Sequence, residues 1–171
     1  MHEAPSTRTA RRLAFLATAI LVVAFDQLTK QLALSELADG NIDLVGSLRL
    51  NLTFNDGAAF SVGSGKTTGI ALVAAAVSVL VAWLGLRANR TMTAVGYGFV
   101  FGGAAGNLVD RALRAGDGFL GGRVVDFVDL QWWAVFNLAD AALWVGIGLL
   151  VLDSWRERAP DGAPEEREQP A

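Results

Sequence analysis

Cysteine is absent from the 171-residue chain, which excludes disulfides, cysteine nucleophiles, iron-sulfur clusters and thiolate zinc sites together. Histidine is nearly absent. The single example, His2, lies in a polar N-terminal tail, so Ser-His-Asp and Cys-His catalysis and the His-x-x-x-His zinc proteases are excluded as well. Charge is sparse. Asp, Glu, Lys and Arg make up 18%, the net charge is -3, and no basic cluster exists beyond a few flanking arginines. There is accordingly no electrostatic footprint for nucleic acid. Carboxylate, hydroxyl and lysine remain for hydrolytic chemistry, and no metal or cofactor is expected.

What the chain has instead is apolar length. Hydrophobic residues reach 53% and mean hydropathy is +0.40, values that point to a membrane rather than to an ordinary soluble domain. Leu13 to Phe25 follows Arg11-Arg12 in the manner of a signal peptide. However, Leu28, Leu32 and Leu37 continue at roughly helical spacing and no small-x-small cleavage site closes the run, so a retained first helix from Leu13 to about Leu37 is expected. Gly69 to Leu86 is eighteen residues without a charge, a second span. Thr93 to Val109 is a third, with Gly98, Gly102 and Gly106 at intervals of four, a face on which backbones approach closely in a bilayer. Phe136 to Trp155 is a fourth.

Four spans put both termini on one side. Arg8, Arg11, Arg12, Arg87, Arg90, Arg156, Arg158 and Arg167 fall on that side against Arg49, Lys66, Arg111, Arg114 and Arg123 on the other, so the positive-inside rule predicts cytoplasmic termini. Residues 1–12 then form a cytoplasmic tail, 13–155 the transmembrane domain, and 156–171 a tail too poor in apolar residues to fold. Between spans, about 38–66 is a polar segment in which Ile42, Leu44, Leu48, Leu50, Leu52 and Phe54 alternate as short surface strands do. Residues 112–135 read as a surface loop, rich in glycine over 112–123.

The polar residues that interrupt this pattern carry the chemistry. Asp26 and Lys30 lie four apart with the acid first, the better orientation for an ion pair, and read as a supporting pair turned toward the bundle. Asn55-Asp56-Gly57 reads as a turn, and the small residues after it would let a substrate backbone approach. Asn107, Asp110 and Arg111 close the third apolar run. The stretch Val124 to Asp140 contains Asp126, Asp129 and Asp140 and leads straight into the fourth. Taken singly, Asp140 is a helix N-terminal acid and Asp126 and Asp129 are loop acids. Taken with Asn55, Asn107, Asp110, Arg111 and Asn137 at one membrane depth, Asp126 and Asp140 read as a catalytic pair. Two carboxylates about 3 Å apart share a proton, and such a pair can activate a water and protonate a carbonyl oxygen, the equipment for peptide hydrolysis without a covalent intermediate.

Five blocks in order carry a resemblance: Asp26-Gln-Leu-Thr-Lys30, Asn55-Asp-Gly-Ala-Ala-Phe60, Gly102-Gly-Ala-Ala-Gly-Asn-Leu-Val-Asp-Arg111, Val124-Val-Asp-Phe127 and Phe136-Asn-Leu-Ala-Asp140. They resemble the signature blocks of the bacterial lipoprotein signal peptidases, the signal peptidase II family. That resemblance implies an all-α membrane protein, a four-transmembrane-helix bundle with a small extracytoplasmic β-rich cradle, acting as an aspartyl protease of the bacterial inner membrane. It implies cleavage of prolipoprotein signal peptides just before a lipid-modified cysteine, with membrane lipid beside the site, and sensitivity to the cyclic peptide globomycin. By the same resemblance Asp126 and Asp140 form the dyad. Asn55, Gly57, Asn107, Arg111 and Asn137 hold substrate or shape the pocket, and Asp26 and Asp110 support it. Gly116 to Gly122 is richer in glycine than the family pattern.

Two other readings fit less well. A proton-coupled transporter could use intramembrane acids as a relay, but four spans without inverted repeats are few for a pathway and the acids gather at one face. A presenilin-like or prepilin-peptidase-like protease would carry a Gly-x-Gly-Asp setting, which this chain lacks.

Overall fold

The computed structural model describes residues 5–56, 67–116 and 118–158. The apolar runs fold into helices α1 (Pro5–Glu36), α2 (Thr67–Gly85), α3 (Thr91–Leu113) and α4 (Leu138–Arg158). All four are long and apolar enough to cross a membrane. Their outward faces carry Ile20, Val73, Val79 and Trp144, each largely exposed, as befits surfaces solvated by lipid tails.

α1 starts at Pro5 rather than Leu13, so residues expected to be tail continue the helix. Arg11 Nη1 donates to the carbonyl of Asn89 at 2.8 Å and Arg12 Nε to that of Leu86 at 3.2 Å. The basic turn of α1 thereby satisfies carbonyls of the connection between α2 and α3.

α3 is the axis of the bundle and packs against α1, α2 and α4. Glycine sets the closeness of its approach to α1. A Cβ on Gly102 would stand 2.7 Å from the Cβ of Val22, and one on Gly106 would stand 2.5 Å from Asp26 Oδ2. No side chain fits at either position, which gives the interval of four its physical meaning.

A three-stranded antiparallel sheet in the order β1-β2-β3 lies beside the ends of α1 and α3. β1 (Ile42–Val45) and β2 (Leu48–Asn55) occupy the stretch where hydrophobic alternation placed strands. β3 (Val124–Asp129) falls inside the expected loop 112–135 and corrects it. Val124, Val125, Phe127 and Val128 have the β-branched and aromatic character of a strand. The alternation that would have betrayed β3 is missing because neighbouring residues Val124, Val125 and Asp126 are all buried. β2 and β3 pair with Thr53 opposite Asp126 and Asn55 opposite Val124. The glycine-rich segment closes through a bridge between Gly116 and Gly122, and Thr68 Oγ1 at the start of α2 donates to the carbonyl of Phe119 at 2.9 Å.

Candidate active site

β3 and α4 deliver one carboxylate each. Asp126 sits in the middle of β3 with 2% of its surface exposed, and Asp140 lies in the first turn of α4. Asn137 joins the two. Its Oδ1 accepts the Asp140 N–H at 3.0 Å while Asp140 Oδ2 accepts the Asn137 N–H at 3.1 Å, the reciprocal pattern of a capping box. Its Nδ2 donates to Asp126 Oδ1 at 2.6 Å. One fully buried residue therefore starts the helix and ties both acids together.

Two further amides complete the ring. Asn107 on α3 donates from Nδ2 to Asp140 Oδ1 at 2.9 Å and accepts at Oδ1 from Asn137 Nδ2 at 3.1 Å. Asn55 at the end of β2 donates from Nδ2 to Asp126 Oδ2 at 3.0 Å. It reaches diagonally across the sheet, since its direct partner is Val124. Every oxygen of the two carboxylates thus faces a nitrogen donor. Burial pushes the Asp126 carboxyl up to about 6, with the charge of Asp140 acting in the same direction and the hydrogen bonds from Asn55 and Asn137 opposing.

Arg111, one turn beyond Asn107, donates from Nη1 to the Asn107 carbonyl at 3.3 Å. Its Nε is buried with no partner, and its guanidinium lies within electrostatic reach of Asp126, Asp140 and Asp110. Gly57, expected to bind substrate, lies outside the described residues.

The Asp26–Lys30 pair is present at 2.8 Å and is extended by Asp110, 3.0 Å from the same ammonium, with none of the three side chains exposed. Gln27 Nε2 donates to both acids at 3.1 Å, and Arg114 Nε donates to Asp110 at 2.8 Å. Asp129 stands apart from Asp126 and Asp140. Arg49 grips its Oδ2 through two nitrogens at 2.7 Å, Asn51 adds a donor at 3.1 Å, and the Gln131 N–H reaches Oδ1 at 2.7 Å. The Gln131 and Arg49 bonds hold its carboxyl below the usual range, and Arg49 pins β2 to β3.

Gln27, Arg49, Asn51 and Arg114 are not singled out by sequence reasoning. Asn137-x-x-Asp140, by contrast, carries a readable signal, the capping-box spacing. Among the described residues no group of three or more His, Cys, Asp or Glu is placed to hold a metal ion. The arrangement can share a proton between two acids and orient a water between them.

The family described as Signal peptidase (SPase) II matches residues 18–156. The chain is 44% identical over 152 residues to the lipoprotein signal peptidase of Mycobacterium avium (strain 104), covering 87% of this chain and 83% of that protein. It is 44% identical over 154 residues to the lipoprotein signal peptidase of Rhodococcus jostii (strain RHA1), covering 89% and 77%. A bacterial membrane enzyme solved by the in meso method at 1.9 Å resolution shares its fold, with a TM-score of 0.71 at 26% identity over 84% of this chain and 93% of that one. The match runs from within α1 to the last turn of α4 and takes in the whole sheet: this chain belongs to the signal peptidase II family.

Proposed function

We propose that this chain is a membrane-embedded aspartyl endopeptidase that removes signal peptides from diacylglyceryl-modified prolipoproteins, cleaving just before the lipidated cysteine. The observation that carries the reading is the seating of Asp126 and Asp140 on one buried asparagine, Asn137. The comparisons lend the transporter reading no support.

Chemistry follows from the unequal settings of the two acids. Asp126, with a pKa near 6, holds the shared proton, and Asp140 is the base. A water held between them attacks the scissile carbonyl carbon as Asp140 takes its proton and Asp126 protonates the carbonyl oxygen. In the resulting gem-diol the C–N bond then breaks. Asp140 gives its proton to the departing amine nitrogen, and Asp126 recovers one from a hydroxyl as the new carboxyl forms. Asn107 and Asn137 spend their amides on the carboxylates, so their part in binding is to fix the acids against the peptide. Arg111, within electrostatic reach of both acids, and Asn55, which holds Asp126 from the end of β2, shape the pocket around the substrate.

With four spans and arginine concentrated near the termini, both termini lie in the cytoplasm and the dyad near the outer leaflet. The sheet is then an extracytoplasmic cradle, the substrate's lipid stays in the bilayer beside the site, and globomycin competes there. The test is cleavage of a diacylglyceryl-modified prolipoprotein by the purified protein in detergent, beside Asp140→Asn. Turnover by the wild type that is lost in the variant is expected. A well-folded wild type that leaves a confirmed lipidated substrate intact would overturn the reading.

A further inference from the structure

Lys30 lies at the bottom of the site with no exposed surface, and its ammonium has three donors, all used. They go to Asp26 at 2.8 Å, Asp110 Oδ2 at 3.0 Å and Asn107 Oδ1 at 3.0 Å. Each acceptor passes the constraint on. Asp26 accepts the N–H of Ala139 at 3.0 Å through its other oxygen, and Ala139 immediately precedes Asp140. Asp110 Oδ2 accepts the N–H of Val125 at 3.1 Å, and Val125 immediately precedes Asp126. Asn107 reaches Asp140 itself at 2.9 Å. Three branches from one nitrogen therefore end within one residue of the two acids, one on β3 and two on the first turn of α4.

We propose that Lys30 is a positioning residue whose single ammonium holds β3 against the first turn of α4 and so fixes the separation at which Asp126 and Asp140 work. This rests on the peptidase reading above. A lysine that only neutralised a buried acid would need one contact, and packing alone would not direct each carboxylate's backbone bond to the residue preceding an acid of the dyad. The charged groups around the ammonium are Asp26 on α1, Asp110, Arg111 and Arg114 on α3, Asp126 on β3 and Asp140 on α4.

The discriminating variant is Lys30→Met combined with Asp26→Asn. It removes one charge of each sign, keeps an oxygen for the Ala139 N–H, leaves Asp110 with Arg114 and Gln27, and deletes the struts to Asn107 and Asp110. Expected are a folded, inserted protein, a KM within about threefold of wild type, and a kcat lower on the order of 10²-fold. An infrared titration of the protonated carboxyl C=O band should move to higher pH, because the cation that favours ionised Asp126 is gone. Lys30→Gln with Asp26→Asn, whose amide still donates toward Asn107, should recover part of kcat and replaces the first variant if that one fails to fold.

A retained kcat in the folded double variant overturns the proposal, as does a lost kcat with an unmoved titration, which would assign Lys30 to packing alone. Failure of both variants to fold overturns it for the same reason. If the wild type does not cleave the lipidated substrate, the peptidase reading fails by itself; the titration then decides the junction alone, a shift supporting it and no shift overturning it.

Discussion

Asp126→Asn should abolish turnover while making the protein less sensitive to pH, and the size of the second effect follows from the site. Burial raises the Asp126 carboxyl from 3.8 to about 6, about 2 units, which at 1.36 kcal/mol per unit is about 3 kcal/mol held against the ionised form. A folded pKa above the unfolded one means that the folded state binds more protons between those values. Stability therefore falls as pH rises, being greatest below about 4 and least above about 6. About 2 kcal/mol of that loss falls between pH 4.5 and 7.5. Asparagine cannot ionise and escapes this cost, but it offers one acceptor where the carboxylate met two donors, Asn137 at 2.6 Å and Asn55 at 3.0 Å. One buried donor left facing an amide nitrogen costs about 1–3 kcal/mol, so at neutral pH the net change is near zero. The pH slope is the cleaner signal. Unfolding in detergent, followed by fluorescence of the five tryptophans, should show wild type losing about 4–8 °C relative to Asp126→Asn between pH 4.5 and 7.5. Turnover in the variant should drop by at least about 10²-fold. A difference that stays flat or grows in favour of wild type as pH rises would refute the claim that burial opposes ionisation of Asp126.

Three other outcomes are expected. In the free enzyme kcat/KM should fall about tenfold per pH unit above about 6, because the working dyad holds one proton and loses it there; a profile level to pH 9 would contradict this. Gly106→Ala, which sets a methyl 2.5 Å from Asp26 Oδ2, should cost about 1–3 kcal/mol of stability and lower kcat, both read on the same preparation. Asp153→Ala at the far end of the bundle removes the contacts with Thr93 and Arg90 and should cost about 1 kcal/mol in thermal unfolding with kcat unchanged.

The helices and half of the site are legible in the sequence for the same reason: both are local. Asp26 and Lys30 lie one turn apart, the glycines of α3 recur every four residues, and Asn137 caps α4 over a spacing of three. β3 was hidden because both of its faces are covered, which erases the alternation that revealed β1 and β2. Asp129 resembled Asp126 and Asp140 in sequence and is told apart by its partners Arg49, Asn51 and Gln131, of which Arg49 and Asn51 lie about eighty positions away where nothing local announces them. Asp110 was named as supporting, but its bond to the Val125 N–H and its share of Lys30 also needed the fold.

What the sequence does not spell out is that the glycine stripe and the buried charges are a single device. Gly106 has no side chain where the Asp26 carboxylate lies, and that space lets an acid already paired with Lys30 along α1 also accept the Ala139 N–H of α4. The helix spacing that glycine permits thus sets how deeply the acid sits, and the acid in turn holds the first turn of α4 through the Ala139 N–H. Asp140, the third residue of α4, inherits its place from that chain of contacts. A methyl group at Gly106 should therefore act on the Asp140 carboxylate along two routes, through Asp26 on α1 and through Ala139, whose Cβ would stand 3.3 Å from it. That ties the close helix packing of a bilayer protein to the placement of Asp126 and Asp140.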